Sequence, residues 1–260
     1  MAAPGLQTSG AMVSVVTPTY NRPELLRKAY SVFDSQTYAP REWIVIDDSD
    51  APHPFFENLD DPRVKYTYLN ERMSTGAKRN LAIEQSSGPL IAQLDDDDYY
   101  RPEYLAQMIG RLEKSGADLI KLSAFFVYHV PARKLGYCDL LNKQDNVFEF
   151  SPSGPVRFGK LDGESDREDN HLGYGFCYVF RRAIWEREPF EDRYWGQDTP
   201  FVKRAIANGF NVGMFADKQG LSLHLIHDSN ESKTFAHYLL PDFMLPTFFP
   251  RIEPFLKSAD

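Results

Sequence analysis

Cysteine is scarce in this chain of 260 residues, which contains only Cys138 and Cys177. Their separation matches no metal-binding spacing, and two cysteines give little sign of the disulfide framework of a small secreted protein. We therefore expect both to be reduced, structural thiols in a cytosolic protein.

A surplus of positive charge is also missing, because 29 Lys and Arg residues stand against 37 Asp and Glu residues, a formal net charge of -8. This balance argues against a protein that binds nucleic acid or an anionic membrane through a broad basic surface. A ligand that carries phosphate would need cations placed locally in its site.

Long apolar runs are absent too, and no stretch approaches the roughly 18 residues of a transmembrane helix. The opening MAAPGLQTSG lacks the basic start and apolar core of a signal peptide. We expect residues 1–11 to form a disordered tail and the protein to be cytoplasmic. The hydrophobic content of 42% is ordinary for a globular protein.

Apolar, strand-like runs alternate with helical patterns through the first half of the chain. The runs are MVSVVT, EWIVI, VKYTY, LIAQL and DLIKLS, and helical spacing marks RPELLRKAYSVFDSQ, GAKRNLAIEQS and the segment from Pro102. This alternation predicts a mostly parallel sheet with helices on both faces. Ligands of such sheets bind beyond the carboxyl ends of the strands.

Four consecutive aspartates, Asp95 to Asp98, follow the run LIAQL. Neighbouring carboxylates repel by roughly 1 to 4 kcal/mol per close pair, so something should compensate. One interpretation is a solvated acidic turn before the helix that begins near Pro102. The other is a site for Mg²⁺ or Mn²⁺, since Asp95 and Asp97 would start on the same side of a strand. The local pattern leaves both open.

Other polar groups follow the neighbouring strands. The first run ends in TPTYNR, the second in Asp47 and Asp48, and GAKRN brings Lys78 and Arg79 to a helix start, where backbone N–H groups also favour phosphate. Each group alone is more often a turn or a solvated residue. Their convergence at one sheet edge favours a site for a sugar nucleotide.

Four segments in this order resemble the nucleotide-binding half of the family 2 glycosyltransferases of the GT-A fold. They are VSVVTPTYNRPELLRKAYSVFDSQTY, WIVIDDSD, NERMSTGAKRNLAIEQSSG and LIAQLDDDDYYRPEYL, within residues 12–115. The resemblance implies a GT-A, Rossmann-like fold and a metal-dependent, inverting transfer of sugar from a nucleotide-diphosphate sugar, with a UDP-sugar favoured. The implied acceptor is a hydroxyl of a glycan or lipid-linked molecule in polysaccharide biosynthesis, in the cytoplasm or at the inner face of the membrane.

The resemblance also implies roles for individual residues. The donor would be bound by residues from the strand ends and the helix start: Thr17, Pro18, Thr19, Tyr20, Arg22, Asp47, Asp48, Lys78, Arg79, Asp95 and Asp96. LDDDD corresponds to the family's Asp-x-Asp motif, with Asp97 as the ligand of Mn²⁺ or Mg²⁺ and the register open by one residue. His227 would complete the metal site, with His224 as the alternate.

The second half is expected to bind the acceptor and to supply the base. From YHVPARK to DREDNHLGYG the sequence shows little periodicity, which predicts loops. On pattern alone Asp198 would cap the helix that follows it. WGQD resembles the family's (W)GxED segment, however, which makes Asp198 the catalytic base and replaces the usual Glu by Gln197. Tyr174, Trp195 and Gln197 are the expected acceptor contacts.

The predicted division of the chain is a nucleotide-sugar half at 12–115, an acceptor and base half at 116–234 and a wrapping segment at 235–260, all in one structural domain. One alternative is an enzyme resembling a sugar-nucleotide pyrophosphorylase, although TPTYNRPE lacks the glycines of a phosphate loop. Another is an inactive nucleotide-sugar-binding module. If Asp198 is only a cap, the base would be sought at Asp192, Glu191 or the acids of DGESDRED.

Overall fold

The computed structural model describes residues 10–152, 154–160, 169–230 and 233–256. Most of the expected N-terminal tail and most of DGESDRED therefore lie outside the described residues. The chain divides into two compact units: the first contains residues up to 96, 102–121 and 173–213, and the second contains 97–101, 122–172 and the residues from 214 onward. Among the described residues, we find no helix with the length and apolar character needed to cross a bilayer.

The strands, in chain order, are β1 Val13–Thr19, β2 Arg41–Asp47, β3 Val64–Tyr68, β4 Leu90–Gln93, β5 Tyr99–Tyr100, β6 Leu119–His129, β7 Lys134–Asp139, β8 Asn146–Phe150, β9 Arg157–Lys160, β10 Val179–Arg181, β11 Val212–Ala216, β12 Ser222–Ile226, β13 Thr234–Ala236 and β14 Tyr238–Leu240. The described α-helices are α1 Pro23–Asp34, α2 Pro54–Glu57, α3 Thr75–Glu84, α4 Tyr104–Ser115, α5 Arg182–Arg187, α6 Asp198–Ala207, α7 Leu245–Phe248 and α8 Ile252–Leu256.

A mostly parallel sheet forms the centre of the first unit, in the order β10-β4-β1-β2-β3. β1 pairs in parallel with both β2 and β4, and β2 pairs in parallel with β3. β10 is antiparallel to β4. The predicted α/β fold is confirmed, and the parallel pairing brings the carboxyl ends of β1, β2 and β4 to the same edge of the sheet.

The helices of this unit begin where the sequence indicates. α1 starts with Pro23, whose missing N–H costs nothing at that position, and buries Leu26, Ala29, Val32 and Phe33 on one face. α3 is capped by Ser74, whose side chain accepts a hydrogen bond from the Ala77 N–H. α3 packs against β1 and β2, and Lys78 and Arg79, near its start, are buried there.

The second unit contains β6 from residue 122 onward, paired antiparallel with β7 and parallel with β12. A separate antiparallel sheet has the order β13-β8-β9. The expectation of loops is wrong for residues 134–160, where β7, β8 and β9 form. These strands are partly or fully exposed and Gly or charged residues interrupt their apolar residues, so no continuous apolar run marks them. β8, for example, buries only Val147 and Phe150.

The C-terminal segment packs within the second unit, as its apolar residues predict. Phe249, Ile252 and Phe255 are buried. The ring of Tyr99 lies 6.1 Å from that of Phe249 and 5.3 Å from that of Phe255, between centroids. This part of the segment thus contributes to the hydrophobic core.

Candidate functional site

The end of β1 is tied to the end of β4 in the first unit. The Thr17 hydroxyl donates to the Leu94 carbonyl at 2.7 Å and accepts from the Trp43 indole at 2.8 Å. Thr19 donates to Asp96 Oδ2 at 2.5 Å, and Arg22 pairs with Asp96 Oδ1 at 2.9 Å. Four of the predicted donor residues, Thr17, Thr19, Arg22 and Asp96, therefore lie together at one edge of the sheet. The hydroxyl of Thr17 is already used in hydrogen bonds that join β1 to Leu94 and Trp43.

Asp47 and Asp48, at the end of β2, have different partners. Asp47 accepts from the Ser49 N–H at 2.9 Å, from the Ser49 hydroxyl and from the Tyr66 hydroxyl at 2.7 Å. Burial raises the pKa of Tyr66, and its hydrogen bond to Asp47 acts in the same direction. The Asp47 carboxylate is thus held by Ser49, two residues along the chain, and by Tyr66 of the neighbouring strand β3.

Asp48 lies deeper, in an ion pair with Lys78. Lys78 Nζ is 2.6 Å from Asp48 Oδ1 and also donates to the Thr19 carbonyl at 2.8 Å. Burial lowers the pKa of Lys78, and the Asp48 carboxylate opposes that effect. The second oxygen, Oδ2, accepts from the Met73 N–H at 2.8 Å and lies 3.6 Å from Arg72 Nε.

Arg72 is a residue of this region that the sequence analysis missed. Its guanidinium carbon lies 3.2 Å from the ring centroid of Tyr20 and 5.9 Å from that of Tyr194. In the sequence, Arg72 belongs to the segment NERMSTGAKRN, which resembles the family. Its distance along the chain from Tyr20 gives no sign that the two side chains are in contact.

Asp198 is the first residue of α6, and Gln197 occupies the cap position without a side-chain cap bond. The interpretation of Asp198 as the helix cap is therefore wrong, because its carboxylate is turned to other partners. Oδ1 lies 2.5 Å from Arg79 NH1, and Oδ2 accepts from the Gly175 N–H at 3.0 Å. A Cβ on Gly175 would collide with this carboxylate, which explains why glycine is needed there.

Arg79 joins two of the predicted site residues. Besides Asp198, its guanidinium reaches Asp95 Oδ1 at 3.3 Å. Burial opposes the charge of Arg79, but the carboxylates of Asp198 and Asp95 outweigh burial and raise its pKa. The predicted base and the first acid of the aspartate run are thus linked through one buried cation.

The segment that leads to Asp198 is fastened to α3. Ser74 donates to Asp192 at 2.5 Å, and Asn80 both donates to the Phe190 carbonyl and accepts from the Phe190 N–H at 2.9 Å. The Gly76 N–H donates to the Arg193 carbonyl at 3.0 Å, in a close approach that a Cβ on Gly76 would block. The sequence analysis missed these contacts, which join residues more than a hundred positions apart.

The expected acceptor residues directly precede Gly175 or lie within three residues before Asp198 in the chain. Tyr174 precedes Gly175 and has a left-handed backbone, with φ of +63°. Trp195 is 74% exposed. Gln197 is buried, and its Oε1 has no hydrogen-bond partner among the described residues. All three belong to the first unit.

Asp97 and Asp98 belong to the second unit, where they offer carboxylate oxygens within 4.8 Å of each other. Asp97 Oδ2 accepts from the Asn230 amide at 3.1 Å and lies 3.5 Å from His227 Nε2. The other ring nitrogen of His227 is 2.9 Å from the Ser229 hydroxyl. His227 Nε2 itself is buried and makes no hydrogen bond with the described residues.

His224 makes a tighter contact with an acid than His227 does. Its Nδ1 is 2.8 Å from Asp98 Oδ1 and 2.9 Å from Oδ2, and the Leu225 N–H donates to Oδ1 at 2.9 Å. Burial raises the pKa of Asp98, and His224 opposes this shift. His224 therefore uses its Nδ1 to hold Asp98, which leaves His227 as the histidine whose Nε2 faces Asp97.

Comparison with protein families agrees with the sequence resemblance. A family model described as Glycosyl transferase family 2 matches residues 14–187. The GalNAc(5)-diNAcBac-PP-undecaprenol beta-1,3-glucosyltransferase of Campylobacter jejuni is 30% identical over 196 residues, which cover 72% of this chain and 57% of that protein. UDP-Glc:alpha-D-GlcNAc-diphosphoundecaprenol beta-1,3-glucosyltransferase WfgD of Escherichia coli is 27% identical over 152 residues, which cover 58% of this chain and 54% of that protein. The matched regions thus span little more than half the length of these relatives.

Solved structures show the same fold. TarS 1-349 of S. aureus, in complex with UDP-GlcNAc, has a TM-score of 0.63 and 19% identity, over 84% of this chain and 60% of that chain. The mannosyltransferase PcManGT of Pyrobaculum calidifontis, in complex with GDP-Man and Mn²⁺, has a TM-score of 0.57 and 16% identity, over 83% of this chain and 56% of that chain. Likeness at these identities concerns the fold alone, and it confirms the expected GT-A architecture.

Proposed function

The chain belongs to glycosyl transferase family 2, and from this premise we propose that it transfers a sugar from a nucleotide-diphosphate sugar to a hydroxyl of a glycan or lipid-linked acceptor. The observation that carries the proposal is the position of the Asp198 carboxylate, fixed between Arg79 and the Gly175 N–H. Arg79 connects that carboxylate to Asp95, at the end of β4. The proposed base, Asp198, and the acid Asp95, which we propose to bind the donor, thus both belong to the first unit.

The donor is proposed to be a UDP-sugar. The name of the E. coli relative contains UDP-Glc, and both relatives are named for acceptors with a diphosphate-linked undecaprenol. In this chain, Tyr20 and Asp48 supply an aromatic face and a carboxylate for the nucleoside, while Lys78 and Arg79 supply buried positive charge near the strand ends.

A divalent cation, Mn²⁺ or Mg²⁺, is proposed to bind at Asp97 and His227. The residues fit such an ion because His227 Nε2 is buried without a hydrogen-bond partner among the described residues and faces a carboxylate oxygen at 3.5 Å. Oxygen ligands suit either ion, and imidazole is also a metal ligand. When bound, the cation would neutralise charge that develops on the diphosphate leaving group.

Asp198 is proposed to act as the general base. Each of its oxygens has one hydrogen bond in the structure and can accept another, so an acceptor hydroxyl can still approach. As the acceptor oxygen attacks the anomeric carbon, its proton passes to Asp198. The bond from that carbon to the diphosphate breaks on the opposite face, and its electron pair leaves with the diphosphate. The result is inversion, through a transition state with oxocarbenium character.

Tyr174, Trp195 and Gln197 are proposed to position the acceptor. The exposed ring of Trp195 can pack against the apolar face of a sugar, and Gln197 Oε1 can accept a hydrogen bond from a hydroxyl. These residues precede Asp198 or adjoin Gly175. An acceptor held by them would therefore lie beside the proposed base.

The experiment that tests the proposal measures UDP release from UDP-glucose and UDP-N-acetylglucosamine. Reactions contain Mn²⁺ or EDTA, with and without a glycan linked to polyprenyl diphosphate. We expect release that requires Mn²⁺ and rises when the lipid-linked acceptor is added, with a product one sugar larger by mass. Tight UDP binding without any transfer, on a panel of such acceptors, would favour the inactive binding module instead.

A further inference from the structure

Arg72 covers one face of Tyr20, a residue expected in the nucleoside pocket. The guanidinium carbon lies 3.2 Å from the centroid of the Tyr20 ring, and Nε lies 3.6 Å from Asp48 Oδ2. One side chain thus contacts both the aromatic ring and the carboxylate proposed to receive the nucleoside.

A guanidinium and a nucleobase make the same two kinds of contact. The guanidinium and the base are both flat and can stack on an aromatic ring. Both also have N–H groups that can donate hydrogen bonds to a carboxylate. The ring face of Tyr20 that Arg72 covers cannot stack a base at the same time. Arg72 and the nucleobase would therefore compete for this face.

Among the partners of Asp48, Arg72 is the most easily displaced. Lys78 bonds to Oδ1 at 2.6 Å and is buried, and the Met73 N–H bonds to Oδ2 at 2.8 Å. Arg72 stands at 3.6 Å, and its side chain is 39% exposed. Exposed ion pairs contribute little to stability, so Arg72 can leave while the buried Lys78 pair holds Asp48 in place.

The same guanidinium also reaches the segment that leads to the proposed base. Its carbon lies 5.9 Å from the ring centroid of Tyr194, within the range of a cation–π contact. Tyr194 is 54% exposed and adjoins Trp195. A movement of Arg72 away from Tyr20 would therefore change the surroundings of the Tyr194 and Trp195 side chains.

We propose that Arg72 is a positioning residue that the nucleobase displaces from Tyr20, and that this displacement couples donor binding to the Tyr194–Trp195 segment that receives the acceptor. The inference rests on the proposed function, because it assumes a nucleotide donor at Tyr20 and Asp48. Its consequence is an order of binding, with donor before acceptor.

The test compares the unaltered protein with Arg72→Met and Arg72→Lys. Calorimetry with UDP and Mn²⁺ should show about two- to tenfold tighter binding for Arg72→Met, because the base no longer has to displace a cation–π contact and an exposed ion pair. Arg72→Lys, which keeps the charge but not the flat face, should fall between. Arg27→Met, on the exposed face of α1, is the matched control and should bind as the unaltered protein does.

Tryptophan fluorescence tests the coupling. The protein has three tryptophans, and Trp195 is the one among them that is highly exposed. UDP should change the emission of the unaltered protein, and this change should be lost in Trp195→Phe. It should also be reduced in Arg72→Met, even though that variant binds UDP more tightly. A merely structural role for Arg72 would not separate affinity from the Trp195 signal in this way.

Equal or weaker UDP binding by Arg72→Met, in a variant with an unchanged circular dichroism spectrum, would overturn the inference, and so would an unchanged Trp195 response. If Arg72→Met does not fold, the same comparison is made with Arg72→Lys, where affinity no higher than that of the unaltered protein overturns it. Failure of the proposed function has a different signature, in which the unaltered protein binds no nucleotide sugar, or binds UDP and transfers no sugar.

Discussion

The acids of the first unit and those of the second unit have different partners. In the first unit, Arg79 contacts Asp198 and Asp95, and Lys78 contacts Asp48. The pKa of Arg79 is raised, so this guanidinium keeps its charge, and the Asp48 carboxylate opposes the lowering of the Lys78 pKa by burial. The first unit therefore carries countercharge for its own acids.

In the second unit, Asp97 faces His227 and Asp98 faces His224. The groups that face these two acids are thus imidazoles rather than an ammonium or a guanidinium. The two ends of the aspartate run therefore differ in the kind of side chain that faces them. Asp95 pairs with the buried Arg79, whereas Asp97 and His227 are the residues that we propose to hold a divalent cation.

The largest effect should come from breaking the fixed network at Arg79. Arg79→Met leaves the carboxylates of Asp198 and Asp95 without their buried cation, and breaking a buried pair costs about 3 to 5 kcal/mol. We expect the free energy of unfolding in urea to fall by this amount, with loss of transfer. Arg181→Met, which removes an exposed arginine that lies 3.6 Å from Asp118, is the control and should cost about 0 to 1 kcal/mol. Equal losses in both variants would contradict the special status of Arg79.

Gly175→Ala should disturb the same network at the other oxygen of Asp198. A Cβ at this position would meet the Asp198 carboxylate, so the carboxylate must move. Displacement of a catalytic group by about 1 Å can cost about 10²-fold in rate, and we expect a loss of kcat of that order. Gly159→Ala is the matched control, because a Cβ there meets nothing within 4 Å. Normal kcat in Gly175→Ala would show that the exact position of Asp198 does not matter.

In the second unit, His227→Ala should weaken the affinity for Mn²⁺ by at least about 10- to 100-fold, because removing an outer-shell partner already costs this much and His227 is proposed as a direct ligand. Calorimetry in the presence of UDP measures the change. His237→Asn serves as the control, since an amide oxygen can still accept the hydrogen bond that His237 Nδ1 accepts from the Asp139 N–H. Unchanged Mn²⁺ affinity in His227→Ala would remove this region from the metal site.

The smallest expected effect concerns pH. Burial lowers the pKa of His237, with Asp139 opposing the shift. The folded state thus binds this proton less readily than the unfolded state. The stability linked to His237 should be present above the unfolded pKa of about 6.5 and be lost as pH falls below it toward the folded value. His237→Asn should flatten the dependence of Tm on pH in that window, and an unchanged slope would contradict this assignment.

The sequence predicted β2 and β4 well because their runs are continuously apolar or nearly so, are buried on both faces and are separated by amphipathic helices. It predicted β7, β8 and β9 poorly because those strands are partly exposed and have no continuous apolar run. It also placed Asp198 correctly near the start of a helix, but assigned the wrong structural role on pattern alone. A cap and a residue of the first turn differ by one position, which a periodic pattern cannot resolve.

The contacts of the proposed base, Asp198, could not be predicted from the sequence pattern for another reason. The contacts of Arg79 with Asp198 and of Gly175 with Asp198 join residues far apart in the chain. Spacing along the sequence carries no information about such contacts. The sequence could not decide between His224 and His227 for the same reason, because only the folded structure shows that His224 faces Asp98 and His227 faces Asp97.

We propose that Asp198 accepts the proton of the acceptor hydroxyl, and the variant Asp198→Asn decides whether it does. Asparagine keeps the size of the side chain and an oxygen that can accept from Gly175, but it cannot take up the proton. We expect a folded variant that binds UDP and Mn²⁺ normally and transfers sugar about 10² to 10⁴ times more slowly in single-turnover assays. Near-normal transfer would contradict the claim, and the search would pass to Glu191 and Asp192, which here bond to Arg204 and Ser74.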